Sequence, residues 1–310
     1  MIKIHKTSEN LTSETDKIEC GAWIHLENPD ADEIEMVSTQ TGLDRDLLRA
    51  ALDREESSRM EVEDSQMLVL LDVPVMEVVE TAARYYTIPL GIVLNDDYIV
   101  TVCLQENNII EDFFEQKIKT FYTFKKTRFI LQILLRIDKY YLSFLKQIDK
   151  ASKNIEAILL KSTKNKELVD MLALEKSLVF FSTSLKSNQA TLEKMLKLKE
   201  MKKYPEDEDL LEDVIIENSQ AIEMTNIYRD ILTNTMDAFA SIINNNLNIV
   251  MKILTLITIV MAIPTIISSL FGMNVPMPWG NFPWAFVSVI FITLLICAVV
   301  LVVLIRRKLF

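Results

Sequence analysis

The residues of this chain whose types and spacing could do chemistry suit the handling of a hydrated cation. Asn274 ends the run Gly272-Met273-Asn274 and offers a neutral carbonyl oxygen. Steps of three and four residues from Asn248 collect Asn248, Met251, Thr255, Thr258, Ala262, Thr265 and Ser269 on one helical face. All but Met251 are small or polar, whereas the positions between them are mostly Ile, Leu, Val or Met, as at Ile249, Ile253, Ile257, Val260 and Ile266. Mg²⁺ gives up its waters reluctantly. Neutral oxygens can hydrogen-bond those waters without the grip of a carboxylate, so an ion can enter and still leave. Close packing of helices through small residues is the other explanation of the same face.

Two apolar segments hold these side chains, at 249–271 and 282–305. Each is long enough to cross a hydrocarbon core of roughly 30 Å as a helix. The link, 272–281, carries no charge and is too short to be a domain. One two-pass chain cannot enclose a water-filled path, so a path along the polar face requires a closed ring of copies. Lys252 flanks the first segment and Arg306, Arg307 and Lys308 follow the second, while the link has no cation. By the positive-inside rule both termini are expected on the cytoplasmic side of the cell membrane and the Gly-Met-Asn loop outside. The opening Met1-Ile2-Lys3-Ile4-His5 has no apolar run before a cleavage site, and no signal peptide is expected.

The net charge is −11, and Lys252, Arg306, Arg307 and Lys308 are the only charged residues after position 248, so the region before it carries −15. Such a region repels nucleic acid, whose phosphates need clustered Lys and Arg. An acidic surface suits cations, although plain solvation is the commoner explanation of one. Cys20, Cys103 and Cys297 have no metal-ligand spacing and read as small apolar residues. With five glycines in all there is little from which to build a phosphate-cradling loop, and no enzymatic motif is present.

Residues 1–105 read as a cytosolic α/β domain. Ala22–Leu26, Met67–Val73, Arg84–Leu94 and Tyr98–Leu104 have the β-branched and aromatic runs of strands, with Pro89 weakening the third or placing it at an edge. Asn28-Pro29-Asp30 opens a helix that Gly42 closes, and Asp44–Leu52 is a second short helix. No glycine occurs from Ile92 to Phe271 and no proline from Leu90 to Tyr204. Residues 106–204 are therefore expected to form a helical hairpin, with Phe121, Phe124, Ile130, Ile133, Leu134, Ile137, Tyr141, Phe144, Leu145 and Ile148 on the apolar stripe and a turn at 162–166. From Pro205 and the acids after it, a stalk helix is expected to run through 205–271 into the first span. The stripe Leu211, Ile215, Ile222, Tyr228, Leu232, Met236, Phe239, Ile243, Leu247 and Val250 marks it. The loop 272–281 and the span-plus-tail 282–310 complete the chain. A coiled coil in a membrane-anchored scaffold is the plain alternative for so long a periodic helix.

Taken together, these features resemble the CorA family of divalent-cation channels, two-span proteins with a Gly-Met-Asn signature. Phe271-Gly272-Met273-Asn274 matches that signature. Trp23-Ile24-His25-Leu26-Glu27-Asn28-Pro29 is similar to the family's early Trp-Ile-Asp-Leu segment. Tyr228-Arg229-Asp230-Ile231 and Asn248-Ile249-Val250-Met251-Lys252-Ile253-Leu254-Thr255 resemble its stalk and first span. The resemblance implies an α+β cytosolic domain, a long α-helical stalk and two C-terminal transmembrane helices in a funnel-shaped homopentamer. It implies passive influx of Mg²⁺, with Co²⁺ and Ni²⁺ as further cargo, and no organic cofactor. Its filter would be Gly272, Met273 and Asn274. Its pore lining would include Asn248, Met251, Leu254, Thr255, Thr265 and Asn274, with Met251 and Leu254 the apolar constriction that gates by dewetting.

The resemblance further implies that cytosolic Mg²⁺ holds the pore shut through Asp213, with Asp72 of a neighbouring copy as a candidate partner. Lys252, Arg306, Arg307 and Lys308 would form a basic collar, although interfacial anchoring explains them as well. The implied partners are further copies of the chain, membrane lipid and divalent cations, without nucleic acid. Three residues depart from the family pattern. Trp279 follows Met277-Pro278 where the family has glutamate, Ala262 stands near a bulky apolar position, and His25 replaces aspartate. A Zn²⁺ transporter of the ZntB-like branch is a second transport reading. The Met273 of the turn and the absence of His and Cys on the polar face argue against softer metals.

Overall fold

The computed structural model describes residues 1–8, 11–79, 82–118, 121–160, 165–198, 205–273 and 283–306. Asn274, the loop after it, Arg307 and Lys308 lie outside the described residues, as does most of the expected turn at 162–166. The chain divides into two units, Met1–Met236 and Asp237–Phe310.

The first unit is built on seven strands: β1 Ile2–Ser8, β2 Leu11–Glu14, β3 Trp23–Glu27, β4 Arg59–Glu63, β5 Gln66–Val79, β6 Ala82–Leu94 and β7 Ile99–Cys103. Their order is β2-β1-β3-β7-β6-β5-β4. Only β3 and β7 run parallel, Trp23 opposite Ile99. Strand alternation sends Ile24 and Leu26 to one face, where they pack with Val100, Val102, Leu68 and Leu70 beneath α1 Ala31–Thr41, α2 Arg45–Arg49 and a 3₁₀ turn at Ala50–Leu52. Gly91 lies under that turn because a Cβ there would come within 2.8 Å of the Ala51 Cβ. Trp23 and His25 point to the other face, where Trp23 packs among Phe113, Phe114, Phe121 and Phe129. Helices cover both faces, which is why β3 and β7 are buried almost throughout.

The expected caps are present. Asp30 accepts from the Glu33 amide in a capping box, and Gly42 ends α1 at φ 74°. Pro89 does not break β6. Strand β7 meets β6 only at Leu90–Leu94, so from Pro89 back to Ala82 β6 has β5 as its one strand partner and is locally an edge.

The first arm of the expected hairpin, before the turn at 162–166, is two helices rather than one. The structure has α3 Asn108–Phe114 and α4 Lys126–Leu159, with Phe121 and Phe124 in the connection. Gln116 takes φ 55°, and Thr123 is held by reciprocal hydrogen bonds with Thr7 and by donation to the Gly21 carbonyl. Phe121 enters the Trp23 cluster from this loop, while Phe124 stays 53% exposed.

Helix α5 Asn165–Met195 packs against α4 and the β5–β6 hairpin. Helix α6 runs from Pro205 to Phe271 as 67 residues, with Pro264 inside it. In the first unit its buried positions Leu211, Val214, Asn218, Ala221, Thr225 and Leu232 follow the three- and four-residue steps of a packed seam. That seam meets α4 through Asn218 and Asp138. In the second unit, the end of α6 and α7 Ala285–Arg306 are long and apolar enough to cross a membrane. Pro264 cannot donate to the Val260 carbonyl one turn back, and the Cys297 thiol of α7 approaches that carbonyl at 3.8 Å.

Candidate functional site

Within the second unit the end of α6 has two distinct sides. Leu256, Val260, Ile263, Pro264 and Ile267 are its less exposed positions, and the Cys297 contact at Val260 places α7 against them. The matching side of α7 is Val289, Thr293, Cys297, Val300, Leu301 and Leu304. Asn248, Met251, Thr255, Thr258, Ala262, Thr265 and Ser269 lie roughly half a turn around the helix from that contact and are exposed in the single chain. Their small size is therefore not used to bring the chain's own two spans together.

The hydroxyls of this face have a defined sense. Thr255 Oγ1 donates to the Met251 carbonyl at 2.8 Å, Thr258 to Leu254 at 2.8 Å and Thr265 to Met261 at 2.9 Å. A hydroxyl has one proton and two lone pairs. With the protons spent on the backbone, the oxygens are left as acceptors. Waters held by a cation turn their hydrogens outward, so an acceptor face matches them. Met251 is the large apolar member of this face, with Leu254 at its edge, and the two are 53% and 56% exposed.

Gly272 continues the hydrogen bonding of α6, its amide donating to the Ser268 carbonyl at 2.9 Å. A Cβ at this position would lie 3.2 Å from that oxygen, so the close approach favours glycine. Met273 is exposed beside it, and Asn274 is outside the described residues. Lys252 on α6 and Arg306 at the end of α7 are exposed.

Asp213 lies exposed on α6, and Asp72 is half-buried on β5. No hydrogen bond joins the two within one chain, and among the described residues no group of three or more His, Cys, Asp or Glu is placed to hold a metal. Asp72 is nonetheless elaborately held. Strand β4 ends at Arg59, opposite Leu70, and beyond it the Asn188 side chain of α5 takes the strand's place. Asn188 Oδ1 accepts from the Asp72 amide at 2.9 Å, and its Nδ2 donates to the Asp72 carbonyl at 2.8 Å. Ser58 Oγ accepts from the same amide, and Tyr141 Oη donates to the same carbonyl. Burial pushes the Asp72 carboxyl up to about 6, against hydrogen bonds from Ser184 and Ser58. Sequence reasoning missed Asn188. Its signal was a polar residue in step with the buried Phe181, Leu185, Leu192 and Met195.

His25 is structural. It is buried against Trp23 and Phe114, its Nδ1 lies 2.9 Å from Thr101 Oγ1, and burial pushes it down to about 3.

Comparison with known proteins gives the same frame. The family model described as CorA-like Mg²⁺ transporter protein matches residues 21–307. The cobalt/magnesium transport protein CorA of Methanocaldococcus jannaschii is 28% identical over 275 residues, which cover 85% of this chain and 83% of that one. The complete structure of the CorA magnesium transporter from that organism superposes with a TM-score of 0.83 at 24% identity, covering 99% of this chain and 98% of that one. The full-length CmaX protein shares the fold at a TM-score of 0.71 and 12% identity, over 95% of each chain. An acidic α/β unit, a long helix running into an apolar span, a second apolar helix and the Gly-Met-Asn between them thus agree with a match over nearly the whole chain: this protein belongs to the CorA-like Mg²⁺ transporter family, a family of membrane transporters and not of enzymes.

Proposed function

We propose that copies of this chain form a homopentameric channel in the cell membrane that conducts Mg²⁺, with Co²⁺ as a second cargo, passively into the cytoplasm. The observation that carries this reading is the sidedness of α6. Its acceptor face, Asn248 through Ser269, is turned away from the α7 contact. In hydrocarbon such a face needs either another chain or water against it. A closed ring of copies supplies both. The relatives named for cobalt and magnesium transport support the cargo.

In this reading the hydrated ion meets a ring of Asn274 carbonyls beside Gly272 and Met273. It then passes Ser269, Thr265, Thr258 and Thr255, whose hydroxyl oxygens accept from its waters, with the small Ala262 leaving room between them. Leu254 and Met251 form an apolar girdle that closes by dewetting when narrowed. Asn248, then the collar of Lys252, Arg306, Arg307 and Lys308, stand at the cytoplasmic end. Asp213 of one copy and Asp72 of the next take up cytosolic Mg²⁺ and favour the closed state. The ligand can shift the gate only by its differential affinity for the two states. Both termini are cytoplasmic, and the domain limits are 1–105, 106–204, 205–271, 272–281 and 282–310.

Uptake of Mg²⁺ into liposomes containing the purified chain, with Co²⁺ and Zn²⁺ in competition, tests this reading. Flux driven by an inside-negative potential and competed by Co²⁺ supports it. Absence of flux from correctly inserted protein leaves a membrane-anchored scaffold, and preference for Zn²⁺ moves the chain to the ZntB-like branch.

A further inference from the structure

Asp138 on α4 and Asn218 on α6 meet inside the first unit, 2% and 3% exposed. Asn218 Nδ2 donates to Asp138 Oδ1 at 3.0 Å. The other two oxygens of the pair, Asp138 Oδ2 and Asn218 Oδ1, are buried and receive no hydrogen bond from the protein. A carboxylate and an amide carbonyl are both acceptors, and a buried acceptor left unmet is costly. One proton answers both. Protonated, Asp138 becomes a donor through Oδ2, and a rotation of the amide plane brings Asn218 Oδ1 onto it. The result is the cyclic acid–amide pair, in which an O–H and an N–H each meet a carbonyl oxygen.

The surroundings favour the neutral acid. Among the described residues Asp138 makes no ion pair, and Arg136, two residues back on α4, is committed to Asp112. The titratable groups whose charge is felt between them are Glu217, beside Asn218 on α6, and Tyr141 on α4. Glu217 disfavours a second negative charge. Burial is the largest influence and pushes the Asp138 carboxyl up to about 8, against the hydrogen bond from Asn218, which favours the ionised form.

We infer that Asp138 and Asn218 form a proton-binding latch between α4 and α6, closed while Asp138 carries a proton and opened when it loses one. Loss of the proton leaves a buried carboxylate with no counter-charge, its Oδ2 and the Asn218 Oδ1 both without a donor, which draws in water and weakens the contact between the two helices. Helix α6 continues to Phe271, so the latch makes the hold on that helix sensitive to pH near neutrality. Its bearing on ion flow rests on the channel reading, whereas the latch itself does not. The folded carboxyl lies above its ordinary value. Its contribution to stability is therefore fully present below the ordinary carboxylate range and is lost as pH rises through about 8.

Infrared titration of the full-length protein in detergent reads the proton directly. A protonated-carboxyl C=O band should persist at neutral pH, vanish with a midpoint near 8, and be missing from Asp138→Asn. If the substitution removes only carboxylate bands at neutral pH, Asp138 is ionised and the latch is wrong. The melting temperature of Asp138→Asn minus that of wild type should rise with pH from about 5 to about 8 and stay level above. A difference that is flat over this range overturns the inference. Should Asp138→Asn fail to fold, Asn218→Leu in the otherwise unchanged protein must move the acid band to higher frequency, and an unmoved band rejects the pairing. None of these readings uses transport, so inactive wild-type liposomes would count against the channel alone.

Discussion

The two ends of α6 are one helix read in two solvents. In the first unit its buried seam is Leu211, Val214, Asn218, Ala221, Thr225 and Leu232, and the outward Ile216, Ile227 and Ile231 are interspersed with charged and polar neighbours. There burial of apolar area drives the packing, worth about 1.5–3 kcal/mol for each large side chain. In the second unit the sense reverses. Within the span Ile253, Ile257 and Ile266 are exposed, and the polar side chains, Ser268 excepted, are gathered on one face. Lipid is as apolar as isoleucine, so apolar residues there do not mark an interface. The polar ones do. One rule, that the minority chemistry marks the face withdrawn from the surroundings, accounts for both ends.

The comparison can be broken at either end. The largest effect is expected at the outer mouth, where Asn274→Ala should abolish Mg²⁺ uptake while crosslinking in mild detergent still gives a ladder ending at five subunits. Wild-type influx through this variant would remove Asn274 from the filter. On the water-exposed stretch of the helix, Leu232→Ala removes a buried seam residue and should cost about 2–5 kcal/mol. Ile231→Ala beside it should cost less than about 0.5 kcal/mol. Equal shifts in the thermal unfolding of the two variants would contradict the seam. In the span, the isosteric Thr258→Val deletes an acceptor and should slow Mg²⁺ flux several-fold, while Ile257→Val leaves it unchanged. If the Thr258 variant conducts normally, acceptor oxygens at that level are dispensable. The smallest effect is regulatory. Asp213→Asn should raise the Mg²⁺ concentration that protects the chain from limited proteolysis by a few-fold, and identical protection curves would make Asp213 an ordinary surface acid.

Much of this was legible from residue order. The caps of α1, the absence of glycine through α6 and the sorted face of the first span each follow from one local rule. Other features required the fold. Strand β4, Arg59–Glu63, is a charged edge strand, a composition that suits an exposed edge and hides a strand from apolar pattern alone. Phe121 and Phe124 fit helical spacing, yet Thr123 pins their segment to β1 and Gly21, and that tertiary contact overrides propensity. Asn188, Asp138 and Asn218 are polar residues on helices, a type that reads as surface until the opposing backbone or side chain is known. The proposed pairing of Asp213 with Asp72 would need a second copy of the chain, which no single-chain pattern encodes.

In the channel reading the face from Asn248 to Ser269 is wet and carries the ion. Single cysteines placed in a protein whose Cys20, Cys103 and Cys297 have been replaced, then reconstituted and treated with a membrane-impermeant thiol reagent, test it most directly. Thr258→Cys and Thr265→Cys should react, and Mg²⁺ should slow them, while Ile257→Cys and Ile266→Cys remain unlabelled. Labelling at the isoleucine positions with the threonine positions silent would place water on the other side of the helix and contradict the account.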